Sequence, residues 1–238
     1  MSYRDTKKTT AVILILVMIS TQLNATSATP PYDDQEVNVF DRMLMFPYSK
    51  DLSLVSDITQ YSAFLAPASL AFAAPPSDWF GISLAYGAAA GLSFGTRTFM
   101  KMAIERNRPY MYFDCLPPTT SSLYEELIAD QDDSFPSGHS IMAFTGAAFT
   151  QAVYSLRYPD SPYKQASTIT AWSLAGVTAA LRIASGNHFI TDVLAGAAIG
   201  TLFGYGVPYL AWKVFPSWKG EKVSVAVGPA MFTMHVQL

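Results

Sequence analysis

"GAAIGTLFG" (Gly196–Gly204) is the stretch on which the fold turns. It sets Gly196, Gly200 and Gly204 four residues apart, so in a helix they share one stripe. In water each such glycine costs a helix about 1 kcal/mol against alanine. In a bilayer the same stripe lets helices approach closely. The surrounding run, Ile190–Trp212, is apolar with Asp192 at its start. A second stretch, "GAAAGLSFG", repeats the pattern with Gly87, Gly91 and Gly95. Both stripes read as packing surfaces of membrane helices.

The rest of the composition agrees. Half of the 238 residues are hydrophobic and 14% are charged, against about 25% charged in ordinary soluble domains. A net charge of −3 gives no footprint for nucleic acid. One cysteine, Cys115, permits neither an intrachain disulfide nor a Cys-x-x-Cys or zinc-type cluster.

Arg4, Lys7 and Lys8 precede the apolar run Ala11–Ser20 and a small polar exit. The run is too short to span a bilayer, which takes roughly 20 residues. A signal peptide over residues 1–28 is expected, cleaved after Ala25 or Ala28, with an uncleaved anchor as the alternative. A lead over residues 29–53 follows, with a short interfacial helix in its second half. Five apolar segments of helical length come next: Leu54–Ala74, Trp79–Met100, His139–Leu156, Ala166–Ala184 and Ile190–Trp212. The expected fold is therefore all-α, a transmembrane bundle of about five core helices over residues 54–214. The tail, residues 215–238, is β-rich in composition and reads as a disordered tail or a short strand.

Entering Leu54 from outside places Arg157, Lys164, Lys213, Lys219 and Lys222 inside. The loop Asp114–Ser134, with six acids and no Lys or Arg, then lies outside, in line with the positive-inside rule. With this topology Lys101, Arg108, His139, Arg182, His188 and Asp192 all meet at the outer face. Ionisable groups at that depth are functional candidates by default.

Three cations facing one point make an anion site, and Arg grips phosphate bidentately. "PSGH" (Pro136–His139) opens a helix, where free N–H groups and the dipole favour an anion. Gly138 allows close approach, and Ser137 suits a cap and a ligand alike. His188 and Asp192 stand four apart, so a carboxylate can orient that imidazole. His139 has no such partner in its own turn and suits proton donation. Taken singly, each has a plainer reading as a snorkelling anchor, a helix cap or a structural His–Asp pair. Asp132 and Asp133 read as solvated loop acids.

"KMAIERNRP" (Lys101–Pro109), "PSGH" and "LRIASGNHFITD" (Leu181–Asp192) resemble, in order and spacing, the three motifs of the type 2 phosphatidic acid phosphatase superfamily. That group includes lipid phosphate phosphatases, bacterial acid phosphatases and vanadium haloperoxidases. Leu181 departs from the family's usual Ser. The resemblance implies that His188 attacks phosphorus to form a phosphohistidine, Asp192 orients it, and His139 protonates the leaving oxygen. It implies that Lys101, Arg108, Arg182 and the N–H groups around Ser137 and Gly138 hold the phosphoryl oxygens, without metal or cofactor. The expected enzyme is a multi-pass inner-membrane phosphatase facing the periplasm. Its substrate is a lipid phosphate: lipid A phosphate, undecaprenyl diphosphate, or a phosphatidyl or phosphatidylglycerol phosphate. The bilayer is its other partner. A secreted soluble acid phosphatase is the first alternative. A haloperoxidase and a non-catalytic transporter or scaffold complete the set.

Overall fold

The computed structural model describes residues 32–114, 116–215, 218, 222–228 and 231–237. The signal segment expected over residues 1–28 lies outside the described residues.

Among the described residues seven α-helices follow one another: α1 (Val39–Arg42), α2 (Lys50–Phe64), α3 (Pro76–Ala103), α4 (Ser122–Ala129), α5 (Gly138–Arg157), α6 (Lys164–Ala184) and α7 (Ile190–Val214). Local chemistry sets their ends. Ser49 caps α2 by accepting from the Leu52 N–H, so that helix begins earlier than the first apolar residues indicate. Pro67 follows its end, and the chain continues as a 3-10 turn, Ala66–Phe72. Pro75 and Pro76 start α3, where a missing N–H costs nothing. Beyond α7, strands β1 (Lys222–Gly228) and β2 (Met231–Gln237) pair antiparallel, with Val225 opposite Met234. The bundle is all-helical, in line with the expected fold class, and the hairpin matches the short-strand reading of the tail. Val223, Val225 and Val227 alternate with Ser224 and Ala226, and such β-branched residues suit a pleated strand.

Five long helices form the bundle. The most buried is α5, which packs on α7, α6, α2 and α3. The α7 stripe explains the closest of these contacts. A Cβ on Gly196 would lie 2.5 Å from the Ser137 carbonyl oxygen, on Gly200 2.4 Å from that of Ile141, and on Gly204 2.6 Å from that of Thr145. Backbone meets backbone, so only glycine fits. Gly146 of α5 does the same against Ala63 of α2, at 2.2 Å.

The other stripe differs. Gly87, Gly91 and Gly95 have no atom within 4 Å of a would-be Cβ. Their side of α3 faces away from the bundle, so the expectation that both stripes pack helices holds for one only. Gly200→Ala is therefore expected to force α5 and α7 apart and lower the melting temperature in detergent by many degrees, as an overpacked contact costs about 1–3 kcal/mol or more. Gly91→Ala is expected to leave it unchanged or raise it slightly, through helix propensity worth up to about 1 kcal/mol. Thermal unfolding of the two variants separates these outcomes.

Among the described residues α7 is the one helix both long and apolar enough to cross a membrane by length and composition. Large apolar side chains point outward all round the bundle. Ile58, Phe80, Phe99, Ile169, Leu202 and Leu210 are each more than half exposed. Soluble proteins seldom show so broad an apolar exterior.

Candidate active site

Helix order carries the functional side chains to one end of the bundle. The C-terminal turns of α3 and α6 bring Lys101 and Arg182, and the N-terminal turns of α5 and α7 bring His139 and Asp192. Two loops close over them. One, after α3, carries Arg108; the other, before α5, pairs with it through Arg106 N–H to Asp132 O (2.9 Å), Arg108 N–H to Gln131 O (2.7 Å) and Ser134 N–H to Arg106 O (3.0 Å).

His188 sits in the turn between α6 and α7 with its side chain 2% exposed. That turn requires Gly186, whose φ is +71° and whose would-be Cβ meets the Phe46 and Pro47 carbonyls at 2.4 and 2.6 Å. His188 Nδ1 lies 2.8 Å from the Ser134 carbonyl oxygen. A carbonyl only accepts, so Nδ1 carries the proton and Nε2 keeps the lone pair. Burial first, then the charges of Arg108, Arg182, His139 and Lys101, hold the His188 pKa well below its ordinary value of 6.5. The imidazole is thus neutral.

Asp192 is fully buried, but it is not hydrogen-bonded to His188. Its Oδ2 lies 3.8 Å from Nδ1 and instead accepts from the Ser134 hydroxyl (2.6 Å) and the Phe189 N–H (2.9 Å). Its Oδ1 pairs with Arg106 Nη1. Asp192 therefore acts here on Ser134 and the helix start, and Ser134 in turn fixes the imidazole. Arg106 also binds Asp41 at 2.5 Å and stacks over the Phe189 ring at 4.2 Å. Asp41 accepts in addition from the Thr191 N–H (3.0 Å) and hydroxyl (2.7 Å). Burial alone would raise the Asp41 carboxyl, but these hydrogen bonds bring it below its ordinary range.

The cations are all present, and each holds an acid. Lys101 meets the Asp133 carboxylate at 3.1 Å. Arg108 pairs with the Asp130 carboxylate and also donates from Nε to the Asp130 carbonyl at 2.8 Å. Arg182 donates to the Ser53 and Ser56 hydroxyls at 3.1 and 3.2 Å and stands 3.9 Å from Asp57. His139 has a partner after all, from another helix: its Nε2 lies 2.7 Å from Asp57. Asp133 is thus not a free loop acid, because it stands against the largely buried Lys101 ammonium.

At the start of α5 the Ser137 hydroxyl accepts from Ser140 N–H at 3.4 Å, as a cap. The Ser137 N–H itself is taken by the Asp192 carbonyl at 3.1 Å. This removes it from the donors expected for an anion and leaves the Gly138 and His139 N–H groups at that helix end. Sequence reasoning did not single out Asp41, Asp57, Arg106, Asp130 and Ser134. Arg106 lay inside the quoted "KMAIERNRP", but nothing local marked its role.

The chain matches the family model described as PAP2 superfamily over residues 82–216. A curated relative, lipid A 1-phosphatase of Porphyromonas gingivalis, is 38% identical over 72 residues, which is 30% of this chain and 15% of that protein. The solved transmembrane PAP2-type phosphatidylglycerolphosphate phosphatase of Bacillus subtilis superposes with a TM-score of 0.50 at 21% identity, covering 87% of this chain and 97% of that one. LpxE of Aquifex aeolicus superposes with a TM-score of 0.42 at 23% identity, over 70% and 91% of the two chains. The B. subtilis likeness concerns the fold. The matched span covers more than half of this sequence and contains all the gathered residues from Lys101 to Asp192, so the chain belongs to the PAP2 superfamily.

Proposed function

We propose that the protein is a membrane-embedded phosphatase that hydrolyses a lipid phosphate through a phosphohistidine on His188. The observation that carries this reading is the neutral, buried His188, whose Nδ1–H is spent on Ser134 while its Nε2 stays free among cations. Nε2 attacks phosphorus, and the P–O bond to the lipid breaks. His139, held by Asp57, gives the leaving oxygen its proton. Water then attacks the phosphohistidine, with His139 taking its proton, and releases phosphate. Lys101, Arg108 and Arg182, with the Gly138 and His139 N–H groups, stabilise the charge on the transferring group. Asp192 and Arg106 act through Ser134 and the α7 start as positioning residues.

A bundle with an apolar exterior and its polar groups at one end suits a substrate whose headgroup lies at the bilayer surface. In the expected topology that end faces the periplasm. Among lipid phosphates, a lipid A phosphate is favoured, because the expected periplasmic site carries a long outer loop, Asp114–Ser134, that can reach a large headgroup. The test is release of inorganic phosphate from lipid A, undecaprenyl diphosphate, phosphatidylglycerol phosphate and phosphatidic acid by purified protein in detergent. Turnover should be accompanied by an acid-labile, base-stable phosphoenzyme. Activity confined to a detergent-free soluble fraction would instead favour the secreted acid phosphatase.

The pH dependence has a definite sign. A histidine whose pKa is lowered stays neutral until the pH falls below that lowered value. Once the substrate's own ionisation is divided out, kcat/KM should show no acid-side loss near the ordinary histidine value of about 6.5, and a loss on the alkaline side belongs to His139, which must be protonated to donate. An acid-side loss centred at that value would show that His188 titrates normally and is not held neutral.

A further inference from the structure

Arg97 lies one turn before Lys101 on α3, at the active-site end, and belongs to none of the motifs. Its guanidinium rests on the first residue of α5. A Cβ on Gly138 would lie 2.5 Å from Arg97 Nε, 3.1 Å from Cδ and 3.2 Å from Cζ. That is an unfavourable seat for a cation, because the start of a helix carries positive partial charge. Lys101 adds a second positive charge next to it. Arg97 Nε is buried without a hydrogen-bond partner, and no carboxylate among the described residues pairs with Arg97. The nearby acid, Asp133, is engaged by Lys101. A buried guanidinium N–H left unmet is costly unless an acceptor arrives.

Arg97, Thr98, Lys101, Met102 and Asp133 line a pocket of about 290 Å³. It shares Lys101 with the residues proposed to hold the transferred phosphoryl group, and its Arg97 lies against Gly138 at the start of α5. Met102, 82% exposed, belongs to the pocket lining and to the apolar exterior as well. We propose that Arg97, with Lys101 and Thr98, forms a second anion subsite that takes a phosphate group beside the one being transferred. This rests on the phosphatase reading for the location of the first phosphate. The second group is either another phosphate of the substrate or the headgroup phosphate of a neighbouring anionic lipid.

Calorimetric titration of the purified full chain in detergent tests this, with orthophosphate and the non-hydrolysable pair methylenediphosphonate as probes. The wild type is expected to prefer methylenediphosphonate by about 10- to 100-fold, the worth of one added charge-assisted contact. Arg97→Gln should lose that preference while orthophosphate binding changes less than about threefold, and Arg97→Lys should keep part of it. Repeating the titration in mixed micelles with phosphatidylglycerol separates the sources. Arg97-dependent competition assigns the subsite to a bilayer lipid, and its absence assigns it to the substrate. The proposal is overturned if the wild type shows no preference, or if Arg97→Gln weakens both probes equally, which would place Arg97 in the first site. Binding needs no turnover. A protein that shows the Arg97-dependent preference yet releases no phosphate sinks the phosphatase reading and leaves the subsite standing.

Discussion

His188→Asn is expected to abolish phosphate release from every lipid phosphate that the wild type accepts, by at least about 10⁴-fold in kcat. Asparagine is the informative substitute. Its Nδ2–H can replace the Nδ1–H that His188 gives to the Ser134 carbonyl at 2.8 Å, so the turn stays anchored while the attacking lone pair is gone. His188→Ala should be equally inactive, but it also empties a buried site and costs stability. His139→Ala should lose less, about 10²- to 10⁴-fold, since it removes proton transfer and not the attacking atom. The loss should be smallest for an aryl phosphate, whose leaving oxygen needs no proton. Phosphate release, phosphoenzyme trapping and melting temperature are measured together. Wild-type turnover by a folded His188→Asn protein would end the assignment of that residue as nucleophile.

Arg106→Gln is expected to produce the largest loss of stability, about 3–5 kcal/mol, the usual consequence of leaving buried charge unpaired. Two carboxylates depend on this guanidinium. Asp41 and Asp192 are both fully buried, and Arg106 lies between them. The pH dependence distinguishes lost charge pairing from lost packing. In the wild type the lowered Asp41 pKa contributes stability that is present above the carboxyl's unfolded value and lost as pH falls through the folded one. Without Arg106, burial dominates and raises that pKa, so the ionised carboxylate costs stability and protonation relieves it. The difference in melting temperature between variant and wild type should therefore shrink between about pH 7 and about pH 5. Adding Asp41→Asn should recover part of the loss. A pH-independent deficit that Asp41→Asn does not recover would mean Arg106 matters only through its stacking on Phe189.

The sequence was most legible where chemistry and helix ends coincide. Lys101, Arg108, His139, Arg182, His188 and Asp192 follow from charges at the ends of apolar runs, and the fold brings all six to one end of the bundle. Their partners were not legible. Asp57 reaches His139 from α2, and Asp41 reaches Arg106 and Thr191 from before it, across 65 to 150 residues of chain. Periodicity within one helix says nothing about a neighbour that arrives from so far away. The i, i+4 spacing of His188 and Asp192 also implied a shared face, but His188 lies before the helix starts, and Asp192 turns to its own N-terminus. The two glycine stripes look alike as text. Only packing distinguishes Gly200, pressed on the Ile141 carbonyl, from Gly91, which touches nothing.

The acids seated on the cations have one more consequence. Asp57, Asp130 and Asp133 sit against Arg182, Arg108 and Lys101, with side chains 42%, 54% and 44% exposed. At rest these acids offset part of the cations' charge, so an anion in bulk solution feels less pull than an open basic cleft would exert. On the proposed lipid-phosphatase reading, substrate would arrive by sideways diffusion within the lipid layer, and its phosphate would displace the resident carboxylates one contact at a time. Because the displaced carboxylates stay nearby and still offset the cations, added salt should slow capture less than it slows capture by an open basic cleft.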